Sequence, residues 1–164
     1  NMGWWVLPVA LSLLRECYGQ GAPKLRYIPS EDQNTVNFQG GQVVPANLPR
    51  NTTYLTIGGI FSLTNNATGL PFDSGIQRAL AFECAIRDVN ESGRLSGATL
   101  FYSIQDDGAS VPFSVRAAVR LLDEGMLVII GPSTSDQAVS ASSAYGQLGI
   151  ANISPGATAD SLSD

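Results

Sequence analysis

Two apolar stretches run straight into small, hydroxyl-rich loops: Ile129-Ile130-Gly131-Pro132-Ser133-Thr134-Ser135 and Ile153-Ser154-Pro155-Gly156-Ala157-Thr158. Each reads as a strand that ends in a turn and opens a helix. They lie about one β-α-β unit apart, so both turns are expected at the same C-terminal edge of a parallel sheet. That edge carries unsatisfied helix N–H groups beside hydroxyls, and open α/β folds bind small ligands there. No other feature of the chain restricts its architecture as strongly.

The remaining periodicity fits the same plan. Tyr54 to Phe61 reads as a first strand, followed by a polar loop from Leu63 to Asp73. A helix is expected from about Ser74 to Asn90, with Ala79, Phe82, Ile86 and Val89 on one face and Ala81 and Ala85 widening it. Thr99 to Ile104 is the second strand. Its loop, Gln105 to Ser110, leads to a helix with Ser110 as N-cap, Pro112 in the first turn and Gly125 just past the end. Met126-Leu127-Val128-Ile129-Ile130 is a continuous apolar run, as expected of a central parallel strand covered on both faces. A third helix from about Asp136 to Leu148 and a strand from Ile150 to Ile153 complete a β-α-β-α-β-α-β order. The fold class is α/β, a doubly wound parallel sheet spanning residues 52–164.

Upstream, the composition changes. Residues 2–19 contain the apolar run Trp4 to Leu14, shorter than the about 20 residues a bilayer requires. It stands where a secretory signal peptide stands, although without a basic leading segment. Residues 20–51 are rich in Pro, Gly, Gln and Asn with no apolar period, and an irregular leader is expected there. Asn51, Asn66 and Asn90 each begin an N-glycosylation sequon, which suits an extracellular chain. A fourth, at Asn152, falls in or beside a strand and is expected to be unused. Cys17 would leave with a signal peptide, and Cys84 is expected to be a small buried hydrophobe, the alternative being a bond to a cysteine outside this chain.

What is missing excludes several chemistries. The chain has no histidine and a single lysine, Lys24, so Ser-His-Asp and Cys-His catalysis, Ser-x-x-Lys catalysis and P-loops have no residues to build on. A net charge of −5 with no basic cluster argues against nucleic acid as a partner. Asp106-Asp107 reads as loop solvation and not as a metal site, and Gly58-Gly59 lacks the dinucleotide-binding spacing. No catalytic residue, metal or cofactor is expected.

From Tyr54 to Asp164 the chain resembles the periplasmic-binding-protein type I superfamily. That group includes bacterial branched-chain amino-acid binding proteins and the extracellular regions of metabotropic glutamate-type and GABA-B-type receptors. Ile130-Gly131 to Thr158 aligns with the branched-chain group without a gap, with Tyr145, Gly149-Ile150 and Ile153-Ser154-Pro155 in step. Ile57-Gly58-Gly59-Ile60-Phe61 resembles the receptor branches. The resemblance implies that Ser135 binds an α-carboxylate, while the Gly156 carbonyl and the Thr158 hydroxyl bind an α-amino group. Ser133 and Thr134 are neighbours that would take the carboxylate role if the loop were shifted. Receptor relatives often pair a cysteine in the first helix with one after the second strand; here that place reads Asp106-Asp107-Gly108, so this disulfide is not available.

The resemblance further implies part of lobe 1 of a two-lobed clamp, with the second lobe and a membrane domain lying outside this fragment. It also implies a dimer in the full-length protein and a site on the extracellular side of the membrane. The ligand would be amino-acid-like. Two rival readings use the same fold: an assembly module of an ionotropic glutamate-receptor-like protein that binds no amino acid, and a soluble solute-binding protein of a transporter. Against all of these stands the plain alternative that Ser and Thr at strand-helix junctions serve only as N-caps.

Overall fold

The computed structural model describes residues 26–29, 36–39, 41–42 and 53–162. The expected signal peptide, Cys17, Lys24 and Asn51 lie outside the described residues. Three short strands come first: β1 (Arg26–Pro29), β2 (Val36–Gln39) and β3 (Gly41–Gln42). The stretch expected to be an irregular leader therefore carries strand structure. β1 pairs with β2, and β3 extends the main sheet. Backbone pairing needs no apolar period, so this was not visible in the side-chain pattern.

The main domain follows the expected order. Its elements are β4 (Thr53–Phe61), α1 (Asp73–Glu91), β7 (Ala98–Asp106), α2 (Val111–Asp123), β8 (Val128–Ile130), α3 (Ser135–Tyr145) and β9 (Ala151–Ile153). Between β4 and α1 lies a small hairpin, β5 (Thr64–Asn65) with β6 (Leu70–Pro71), inside what reads in sequence as a plain polar loop. α3 tightens into a 3-10 turn, Gly146–Leu148, and a second such turn covers Asp160–Leu162. The five-stranded sheet runs β3-β7-β4-β8-β9. β7, β4, β8 and β9 are parallel, and β3 is antiparallel against β7.

From β4 the chain first steps outward to β7, then returns across to β8 and on to β9. The strand order thus reverses between β4 and β8, which is the topological switch point of this sheet. Right-handed crossovers put α1 on one face and both α2 and α3 on the other. Alternation along the strands serves both faces. Phe61 joins Ala79, Phe82, Ile86, Leu100, Tyr102 and Ile104 under α1, whereas Ile60 and Ile129 pack with Ala118, Leu121, Ala141 and Tyr145 under α2 and α3. Rings of Phe61, Phe82 and Tyr102 meet with centroids 5.6 and 5.7 Å apart, tilted and edge-on. The Tyr102 hydroxyl donates to Glu83 Oε1 at 3.1 Å within this cluster.

Three local expectations change on packing. Ala81 and Ala85 are exposed, and Gly75 and Glu83 take their place on the buried stripe of α1. At 3.6 residues per turn, Ala81 and Ala85 sit about 100° back from Phe82 and Ile86, beyond the reach of the sheet. Cys84 is half-buried, not a core residue, because its position on α1 flanks that stripe. Asp106 and Asp107 do not solvate a loop: Asp107 is 0% exposed, and Asp106 is half-buried.

Ser110 does occupy the N-cap of α2, with Pro112 in its first turn, but its side chain makes no cap hydrogen bond. Asn66 is exposed beside the hairpin, whereas the Asn90 amide exchanges hydrogen bonds with the Leu100 N–H and carbonyl and ties α1 to β7. Among the described residues no helix is long and apolar enough to cross a membrane.

Candidate functional site

The two hydroxyl-rich turns follow β8 and β9, side by side at the C-terminal edge of the sheet and next to the switch point. Gly131 opens the first turn at φ +95°, and a Cβ there would run into the Ile60 carbonyl, so only glycine fits. Thr134 then takes the N-cap of α3 in extended conformation, φ −103° and ψ 152°. Thr134-Ser135-Asp136-Gln137 has capping-box spacing, but neither half of the box is made. Instead the Thr134 hydroxyl meets Gln137 Oε1 at 2.6 Å. The first-turn N–H groups of α3 therefore carry no side-chain cap and keep their attraction for an anion.

The second turn is strapped onto the first. Asn152, the fourth sequon, donates its amide to the Ile129 and Gly131 carbonyls. The Gly131 N–H donates to the Ile153 carbonyl at 2.8 Å. Ser154 donates to the Pro132 carbonyl at 2.6 Å and accepts from the Ala157 N–H at 3.1 Å. Gly156 passes so close to the first turn that a Cβ would lie 2.7 Å from the Ser133 carbonyl oxygen. Last, the Thr158 N–H donates to Ser135 Oγ at 3.1 Å.

This brings Ser135, Gly156 and Thr158 together. Ser135 is half-buried, while Gly156 and Thr158 are exposed. Because Ser135 accepts from Thr158, its own hydroxyl proton remains for an outside acceptor. The Thr158 hydroxyl makes no hydrogen bond among the described residues, so its lone pairs are uncommitted. One donor with helix N–H groups, next to two acceptors, matches a group pair of opposite character. Asp136, exposed in the same first turn, adds negative potential that favours the cationic member of such a pair. Ser133 is different: its Oγ is buried and unpartnered, shut away from any ligand, which removes it from the accessible set. Thr134 remains exposed.

Behind the turns lies an acidic pair that composition alone made look like loop residues. Asp106 Oδ1 accepts from the backbone N–H groups of Leu63, Thr64 and Gly108, and Oδ2 from the Thr64 hydroxyl at 2.6 Å, which locks the loop after β4 to the loop after β7. Asp107 accepts from the Ala109 N–H at 3.0 Å. Burial is the main influence on its carboxyl and pushes the pKa upward, against the opposing influence of the nearby Ser62 and Gln137 side chains and of the Ala109 N–H. No group of three or more His, Cys, Asp or Glu side chains suited to a metal occurs among the described residues. Asp107, Gln137, Asn152 and Ser154 escape sequence reading as site residues. Only the capping-box spacing of Thr134 and Gln137 was a usable signal.

A parallel sheet with this strand order and two ligand-edge turns defines a type I periplasmic-binding-protein fold, present here in part. The family described as receptor family ligand binding region matches residues 77–164, more than half of the chain, and the chain belongs to it. Leu/Ile/Val-binding protein homolog 1 of Brucella abortus is 33% identical over 84 residues, covering 51% of this chain and 23% of that protein. Leu/Ile/Val-binding protein BraC3 of Rhizobium johnstonii is 28% identical over 108 residues, covering 66% of this chain and 28% of its own length. Among solved structures, the branched-chain amino acid transporter substrate binding protein LivJ of Streptococcus pneumoniae, in complex with isoleucine, superposes with a TM-score of 0.59. It is 21% identical and covers 67% of this chain and 31% of LivJ. The chain thus spans about a quarter of the length of the curated relatives it matches.

Proposed function

We propose that this chain supplies part of the first lobe of a two-lobed clamp that binds a free amino acid. The ligand carboxylate is held by the Ser135 hydroxyl and the uncapped N-terminus of α3, and the ammonium by the Gly156 carbonyl and the Thr158 hydroxyl. The observation that carries this reading is the Thr158 N–H to Ser135 Oγ bond of 3.1 Å, which joins the two turns and leaves Ser135 as a donor. The named specificity of the relatives, Leu/Ile/Val, supports an apolar amino acid. The family description supports placing the lobe in a membrane receptor, facing the extracellular side. Its second lobe, membrane domain and dimeric state belong to the same proposal.

The test is calorimetric titration of leucine into the full chain and into its Ser135→Ala and Thr158→Ala variants. Each variant should bind about tenfold more weakly or worse, matching the loss of a charge-assisted hydrogen bond of roughly 1.5–3 kcal/mol. Unchanged affinity in both variants would remove the assignment. Removal of N-linked glycan with an endoglycosidase, and its loss in Asn66→Gln, tests the extracellular placement separately.

A further inference from the structure

One hydroxyl of the first turn has its hydrogen-bond direction set from behind. Thr134 Oγ1 lies 2.6 Å from Gln137 Oε1, and an amide oxygen only accepts, so Thr134 is the donor in that bond. Gln137 is 3% exposed, and its Nε2 finds no partner among the described residues. Asp107 lies behind it, with the Ser62 and Gln137 side chains as polar neighbours, one carboxylate oxygen taken by the Ala109 N–H and Oδ2 unpartnered. Turning the Gln137 amide over would bring its oxygen to the side of the Asp107 carboxylate, acceptor toward acceptor.

We propose that Asp107 and Gln137 are positioning residues that make Thr134 an acceptor-only hydroxyl toward the ligand. With its proton committed inward, Thr134 offers only lone pairs outward. The ligand group that meets it must be a hydrogen-bond donor, and a carboxylate is turned away to Ser135, whose proton is available. Neighbouring hydroxyls on one helix start thereby acquire opposite polarity, and this selects ligands carrying a donor next to the carboxylate over those carrying a second acceptor there. The ligand side of this inference rests on the amino-acid reading above; the polarity of Thr134 does not.

The experiment compares the full chain with Gln137→Met, which is close in size and has no amide oxygen, and with Asp107→Asn, which lets the Gln137 amide turn over. Dissociation constants are measured for leucine and for the α-keto acid of the same carbon skeleton. In both variants Thr134 regains a proton to donate, so the preference for leucine over the keto acid should shrink by about tenfold, the worth of one hydrogen bond. Equal weakening of both ligands, with the preference intact, would mean a purely structural role and overturn the proposal.

A second readout needs no ligand. In the unsubstituted chain the Thr134 hydroxyl proton should exchange slowly with water and show proximity to the Gln137 side chain by NMR, and Gln137→Met should abolish both. A freely exchanging hydroxyl in the unsubstituted chain overturns the proposal. A protected hydroxyl in a chain that binds no leucine overturns the amino-acid reading and leaves the Thr134 assignment standing.

Discussion

Ser154 donates its hydroxyl to the Pro132 carbonyl at 2.6 Å, so a residue after β9 holds the turn that follows β8. The same oxygen accepts from the Ala157 N–H, which makes Ser154 the rivet between both halves of the site. Ser154→Ala should cost about 1–3 kcal/mol of stability by leaving these backbone groups without their partner. Leucine affinity should fall as well, because Gly156 and Thr158 lose their register against Ser135. Denaturant unfolding together with titration checks this; a variant as stable and as tight-binding as the parent would show that the turns hold themselves.

Asp107 gives the fold a pH dependence of defined sign. Its carboxyl is raised above the ordinary 3.8, chiefly by burial. Between that ordinary value and the raised one, the folded chain binds more protons than the unfolded chain. Stability from this group is therefore highest at low pH, falls as pH rises through the window, and stays reduced above it. Asp107→Asn cannot ionise and still offers an oxygen to the Ala109 N–H. It should melt a few degrees higher than the parent at neutral pH, with the gap closing on acidification. A difference that ignores pH would place the origin elsewhere.

Tyr145 is buried on α3, its hydroxyl has no partner among the described residues, and burial pushes its pKa up to about 12. Tyr145→Phe removes an unsatisfied polar atom and keeps the ring. Stability should be unchanged or should rise by about 1 kcal/mol, read by urea unfolding. A marked loss would reveal a hydrogen bond to this hydroxyl.

Leu148 and Ile153 are 65% and 59% exposed at the β9 end of the sheet, where β9 is the edge strand among the described residues. Residues 52–164 produced alone should therefore self-associate at micromolar concentration, as judged by light scattering. Ile153→Lys should shift that material toward monomer. A monodisperse parent fragment would show that the edge is protected by its own geometry.

The amino-acid order alone determined the α/β class, the alternation of strands and helices, and the pairing of two hydroxyl-rich turns at one sheet edge. These follow from local physics: apolar runs such as Val128 to Ile130 form strands, and Gly-Ser-Thr turns start helices. The family resemblance carried by those turns pointed to Ser135, Gly156 and Thr158; the fold joins Thr158 to Ser135 and sets Gly156 against Ser133. Tertiary structure alone decided what each hydroxyl does. Ser133, Thr134 and Ser135 are consecutive and chemically alike, yet one is buried, one donates to Gln137, and one accepts from Thr158. Donor and acceptor roles depend on partners far away in the chain, as the environment of Asp107 depends on Ser62 after β4 and Gln137 on α3. The exposure of Ala81 and Ala85 has the same origin. Helical periodicity gives the spacing of a face, and only the sheet beneath it decides how wide that face is.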